Sequence, residues 1–164
     1  MRYLMRQKIF SLGEKFTIKN EAQEDVFQVQ GKWISIGKKL TMRNMNEEVL
    51  FFIKQKVFAF APTYFLFQGG PDGPQVAKVR KRLWSFLKAR FDITLPDGST
   101  METEGNFIEH EYMIRRGTDA IATVSKKYLS LADTYTIDTI EGEDDAFIVA
   151  LAVVIDMISH SNKN

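Results

Sequence analysis

The sequence predicts a mainly β protein: a closed, twelve-stranded antiparallel barrel enclosing a central hydrophobic C-terminal α-helix. Three observations lead there. A short motif recurs along the chain, each copy alternates apolar with polar residues, and the alternation gives way near the C-terminus to one unbroken apolar run.

The motif is a basic residue, two apolar residues, a small one and another apolar one, with further apolar residues at the ninth and eleventh places. It reads Lys8-Ile9-Phe10-Ser11-Leu12 with Phe16 and Ile18, Lys32-Trp33-Ile34-Ser35-Ile36 with Leu40 and Met42, and Lys56-Val57-Phe58-Ala59-Phe60 with Tyr64 and Leu66. Arg82-Leu83-Trp84-Ser85-Phe86 reaches Phe91 and Ile93 after one extra residue, and Lys127-Tyr128-Leu129-Ser130-Leu131 leads to Tyr135 and Ile137. The last gap, 45 residues against 24 to 26 for the others, holds a worn sixth copy with Phe107-Ile108, Tyr112 and Ile114. Stretches such as Phe16-Thr17-Ile18-Lys19 have the period of two of a half-buried strand. Polar or glycine-bearing breaks separate the units, among them Gly69-Gly70-Pro71-Asp72-Gly73-Pro74 and Pro96-Asp97-Gly98-Ser99, and these read as turns. Two strands in each of six units predict strands at 2–10, 16–20, 26–34, 39–43, 49–58, 63–68, 75–84, 90–95, 100–108, 110–115, 119–129 and 134–140.

After Ile140 the acids Glu141, Glu143, Asp144 and Asp145 precede ten consecutive apolar residues, Ala146 to Ile155, then Asp156-Met157-Ile158. Acids at one end and His160 and Lys163 at the other suit a helix dipole, so a helix is expected over 143–160. The stretch from Ala146 to Ile158 is about 20 Å long, against about 30 Å of hydrocarbon in a bilayer. It also carries Asp156, which costs about 2.5–3.5 kcal/mol at mid-membrane. No transmembrane segment is expected. A helix apolar on every side must still be buried all round, and in an otherwise all-strand chain the container is a closed sheet. A propeller offers no such place. Asp156 is expected near an end of the barrel, where a backbone donor, a strand cation or water satisfies it.

The chain, 164 residues with 26% charged residues and a net charge of +1, is expected to be one domain over 1–164. Near-neutral charge excludes a histone-like field. The absence of Cys removes disulfides and thiolate chemistry, and two His leave little for zinc or iron. No signal-peptide run follows Met1 to Arg6, so a cytoplasmic protein, peripheral at a membrane at most, is expected.

Residues Met1 to Phe16, the repeat starts Gly31-Lys32-Trp33 and Gln55-Lys56-Val57-Phe58, and the ending from Asp144-Asp145-Ala146-Phe147 to Val154-Ile155-Asp156 resemble the bacterial LURP-one-related family. The resemblance spans nearly the whole chain. It implies the tubby C-terminal-like fold, twelve strands around one hydrophobic helix, and a relationship to phospholipid scramblases. Asp133, Asp138, Glu141, Glu143, Asp144 and Asp145 do not match the scramblase calcium motif, and no phosphoinositide-binding position of tubby proteins aligns.

The densest basic cluster is Lys78, Arg80, Lys81, Arg82, Lys88 and Arg90, with Leu83, Trp84 and Phe86 among them. Lys78, Arg80 and Arg82 share strand parity, so three cations on one face could meet lipid phosphates or a nucleic-acid backbone. A solvated outer face reads the same way. Residues 1–125 hold nineteen cations and fourteen anions, and 126–164 hold three and seven, so the tail opposes the charge of the body. Alternation puts His110 on the opposite face from Glu109 and Glu111, which removes a metal site there. No Gly-x-Ser-x-Gly nucleophile motif occurs, and His160 is taken to lie past the helix. Gly69 to Gly73 lacks the residues of a phosphate loop, and Glu102 and Glu104 read as hydrated acids on an outer face.

No catalytic residue, cofactor or metal is therefore assigned. The leading expectation is a non-enzymatic binding or adaptor module for an anionic phospholipid surface or a protein partner. The alternatives are a small-molecule-binding or catalytic barrel with a pocket beside the helix, and, third, nucleic-acid binding through 78–90.

Overall fold

The computed structural model describes residues 1–6, 15–34, 36–82, 90–126 and 133–160, without the side chains of Trp33 and Ile34. Twelve strands and one helix follow in chain order: β1 (Arg2–Arg6), β2 (Lys15–Asn20), β3 (Asp25–Ile34), β4 (Gly37–Asn44), β5 (Val49–Gln55), β6 (Thr63–Gln68), β7 (Gln75–Arg82), β8 (Arg90–Thr94), β9 (Thr100–Asn106), β10 (Glu111–Arg116), β11 (Asp119–Ser125), β12 (Thr134–Thr139) and α1 (Asp145–His160).

Each strand pairs antiparallel with its sequence neighbours, and β1 closes the barrel on β12, from Arg2 opposite Asp138 to Arg6 opposite Thr134. The seam is reinforced where the Arg2 guanidinium donates to Asp138 (Nε to Oδ1, 2.6 Å) and the Thr139 N–H donates to the Met1 carbonyl at 2.9 Å. Such a barrel has no open sheet edge. Odd-numbered strands all run toward one end, called here the odd-strand end. α1 enters at the opposite end, and its last turn reaches the odd-strand end.

Period-two alternation turns Ile18, Val29, Leu40, Met42, Ile53, Leu66, Val79, Ile93 and Ile114 inward, where all are buried. They meet a helix whose residues Ile148 to Ile158 are buried without interruption. The helix start is set by Asp144, whose Oδ1 accepts the Phe147 N–H at 3.0 Å as an N-cap, after Gly142 at φ 91° has turned the chain inward. Asp145 accepts from the Tyr3 hydroxyl at 2.9 Å and from the Thr139 hydroxyl, tying that end to the β1–β12 seam.

Most element boundaries agree with the sequence reading to within two residues, and the exceptions are informative. β5 stops at Gln55, not 58. Phe58, expected to end that strand, and Phe60, both of the third repeat copy, stand in the β5–β6 connection at 100% and 99% exposure. Phe58 has φ 58°, outside the strand region. β9 stops at Asn106, not 108, and β10 begins at Glu111, so His110 is a turn residue. The expected strand residues 7–10, 83–84 and 127–129 lie outside the described residues, as does Lys163. No helix among the described residues is long and apolar enough to cross a membrane.

Because Val153 sits mid-helix with no exposure, Val153→Asp places an unpaired charge in the core. Urea and thermal unfolding should show it destabilised by about 4 kcal/mol or more, whereas Lys81→Ala should stay within about 0.5 kcal/mol of wild type.

Candidate functional site

The basic cluster read from sequence divides in three dimensions. Lys78, Arg80 and Arg82 project outward from β7, while Lys81 shares the inward parity of Ala77 and Val79 at the rim. Opposite them stand acids on β8 and β9. The Arg82 guanidinium donates to both oxygens of Asp92 and reaches Glu102 Oε1 at 3.4 Å, and the Asp92 carboxylate raises the Arg82 pKa further. Arg90 lies 3.9 Å from Glu104. Arg82 and Arg90 are thus rungs of a cross-strand ion ladder, and Glu102 and Glu104 belong to that ladder. Lys78 and Arg80 make no ion pair with a described residue, and Lys88 lies outside the described residues.

Lys78 continues a second row, across the other side of the sheet. Register places Lys32 opposite Lys39, Lys39 opposite Lys54, Lys54 opposite Phe65 and Phe65 opposite Lys78, all on the outward face. None of these four lysines pairs with an acid among the described residues. Like charges directly opposite one another across a sheet are destabilising, so the fold gains nothing from this row. Half-buried Phe52 and Phe67, with ring centroids 6.3 Å apart, form the next row on the same face. At the odd-strand end the face meets exposed Lys56, Phe58, Phe60 and Ile36, and beside them Lys38, whose burial pulls its pKa down. Lys32, Lys39 and Lys54 were missed because they are far apart in sequence. Their signal was the hairpin register.

Inside the same end lies a cluster that sequence alternation did not bring together. Gly105 (φ 149°) pairs with Tyr112, and a Cβ there would fall 2.3 Å from the Glu111 carbonyl oxygen. Only glycine permits that approach. The turn that follows, with Asn106 Oδ1 accepting the Glu109 N–H at 3.2 Å, leaves His110 at φ 53° with its ring turned into the barrel. His110 Nε2–H donates to Asp156 Oδ1 at 2.5 Å. His160, on the last turn of α1 and not past it, donates Nδ1–H to the Asp156 carbonyl at 3.0 Å and lies 3.1 Å from Oδ1. Side-chain exposure is 1% for His110 and Asp156 and 14% for His160.

The two imidazoles stack at 4.7 Å and 7°, and His110 also stacks on Tyr135 at 4.2 Å. The hydrogen bond that His160 donates to the Asp156 carboxylate raises the His160 pKa, against the effect of burial. Burial, helped by the Asp156 charge, pushes the Tyr112 and Tyr135 hydroxyls far above the usual phenol value. Asp156 is therefore near an end of the barrel, as expected, but its partners are histidines. Two histidines and a carboxylate are also the residue types that hold zinc or iron, and the spacing of 46 and 50 residues from His110 hid them. Replacing Gly105 with Ala should destabilise the chain by about 2–4 kcal/mol through strain and overlap, read by urea unfolding.

Comparison with known proteins gives a consistent answer. The LURP-one-related family matches residues 1–156. The uncharacterized protein YxjI of Bacillus subtilis (strain 168) is 31% identical over 160 residues, covering 98% of this chain and 94% of that protein. The X-ray structure of a protein from Arabidopsis thaliana superposes with a TM-score of 0.71 at 16% identity, covering 96% of this chain and 91% of that one, a likeness of fold. By its sequence over nearly its whole length, the chain belongs to the LURP-one-related family.

Proposed function

We propose that the chain is a non-enzymatic binding module that docks the odd-strand end, with the adjoining outer face of β3 to β7, on an anionic phospholipid surface. The observation that carries this reading is the exposure of Phe58 and Phe60, essentially complete, beside a row of lysines that no described acid neutralises. Water penalises two bare phenylalanines, and an interface rewards them. Lysines near a negatively charged leaflet add about 1 kcal/mol each. An open, partly apolar cleft lined by Ile36, Gln55, Lys56, Phe58 and Pro62 lies at this end, and the barrel interior is occupied by α1, which favours a binding surface on the outside. Two cations of the 78–90 cluster that pair with no described acid, Lys78 and Arg80, extend the lysine row, whereas Arg82 and Arg90 are committed to acids.

Co-sedimentation with phosphatidylcholine vesicles, with and without phosphatidylserine, tests the reading. Wild type should pellet only with phosphatidylserine and release at high salt. Lys39→Glu/Lys54→Glu and Phe58→Ser/Phe60→Ser should each bind about tenfold or more weakly with unchanged melting temperature, since all four side chains are outside the core. Equal pelleting by both vesicle types, or salt-sensitive retention on DNA without vesicle binding, contradicts it.

A further inference from the structure

We infer that His110, Asp156 and His160 bind one divalent transition-metal ion of the zinc, cobalt or iron(II) kind at the odd-strand end of the barrel. The site is separate from the outer lysine face and does not depend on it. Its donor atoms are His110 Nε2, an Asp156 carboxylate oxygen and His160 Nδ1, and the ligand atoms of the three residues all lie within 4.8 Å of one another. Metal–ligand bonds of about 2.0–2.2 Å set neighbouring ligands about 3.4 Å apart in a tetrahedron, so shifts of an ångström or so convert the hydrogen-bonded cluster into a coordination sphere.

Three features favour an ion over a purely structural hydrogen-bond cluster. The first is economy of the core. Every other buried position of α1, from Ile148 to Ile158, is apolar, and an apolar residue at 156 facing another at 110 fills such a space without burying a charge. The second is the accounting of polar atoms. Asp156 Oδ2, His110 Nδ1, Ser159 Oγ and the hydroxyls of Tyr112 and Tyr135 are buried with no hydrogen-bond partner, so the contacts present leave the cluster far from satisfied. The third is arrangement. Stacking on Tyr135 and between the two imidazoles holds the rings parallel, with one nitrogen of each beside the same carboxylate oxygen. Three ligands are thereby placed before any ion arrives.

The donor set selects the ion. Calcium and magnesium take six or more oxygens, whereas two imidazoles and one carboxylate suit zinc, cobalt, nickel or iron(II). With three protein ligands, a fourth position is left for water or a phenol oxygen, and Tyr112 and Tyr135 stand close enough for the Asp156 charge to act on both. His160 supplies the route in, being the ligand with solvent exposure.

The test uses the untagged full chain after treatment with a chelator. Calorimetric titration with Zn²⁺ should give one equivalent, Zn²⁺ should raise the melting temperature in a concentration-dependent way, and Co²⁺ should develop the visible ligand-field bands of a low-coordinate site. His160→Ala and Asp156→Asn should each weaken binding at least tenfold and abolish those bands, while Glu109→Gln, exposed on the same turn, should bind like wild type. Should either variant fail to fold, Co²⁺-shifted ring-proton signals from both histidines of the wild type report ligation directly. Absence of stoichiometric uptake by the wild type, unshifted histidine signals, or undiminished affinity in folded His160→Ala overturns the inference.

Discussion

A helix that is apolar on all sides has to be enclosed on all sides, and everything else in this molecule follows from meeting that demand with a sheet. The enclosure works only if the first strand finds the last, so the seam between β1 and β12 carries the closure, with contacts spanning about 136 residues of sequence. Long-range pairing of this kind is slow to form. The helix then serves as the core against which all twelve strands pack. Inward positions vary from Ala77 and Ala122 to Phe91, Tyr64 and Tyr135, as a cylinder filled by an irregular helix surface requires.

Filling the interior moves function to the outside and to the ends. The odd-strand end collects two different chemistries, for the same topological reason. Each odd strand finishes there, and the recurring motif puts its basic residue within two residues of that finish, as Lys32, Lys56 and Arg82 illustrate. The helix also finishes there, which brings Asp156 and His160 to the β9–β10 turn. An exposed cationic and aromatic surface on one side and a buried pair of imidazoles thus share the same end of the barrel. Where acids alternate with the cations, as along β7, β8 and β9, the outer surface is a neutral ladder, and where they do not, along β3, β4 and β5, it is strongly positive.

The fold was legible because its two governing periods are local. Alternation at Phe16 to Lys19 or Phe91 to Leu95 and the continuous apolar run from Ala146 need no tertiary information, and strand number follows from the repeat. What sequence could not supply depends on register and on backbone exceptions. Counting alternation through 109–111 set His110 apart from both acids, which holds, but it assumed a strand where positive φ at His110 and the close approach at Gly105 make a turn, and the meeting with Asp156 and His160 depends on that turn. Likewise the third motif copy was read as carrying a strand to 58, yet Phe58 and Phe60 are the most exposed large hydrophobic side chains of the described residues, because the strand ends at Gln55. The 78–90 cluster was visible as composition. Its partial cancellation by Asp92, Glu102 and Glu104, and the row of lysines contributed one per strand, emerge only once strands are aligned.

Hydrogen exchange of the α1 amides tests the enclosed helix most directly. If the strands surround the helix and it stays there, the amides from Val149 to Ile155 exchange only through global unfolding, at the slowest rates in the chain, both free and with phosphatidylserine vesicles. Exchange of those amides faster than the strand amides in the free chain, or a separate change in their protection when vesicles are added, contradicts the account.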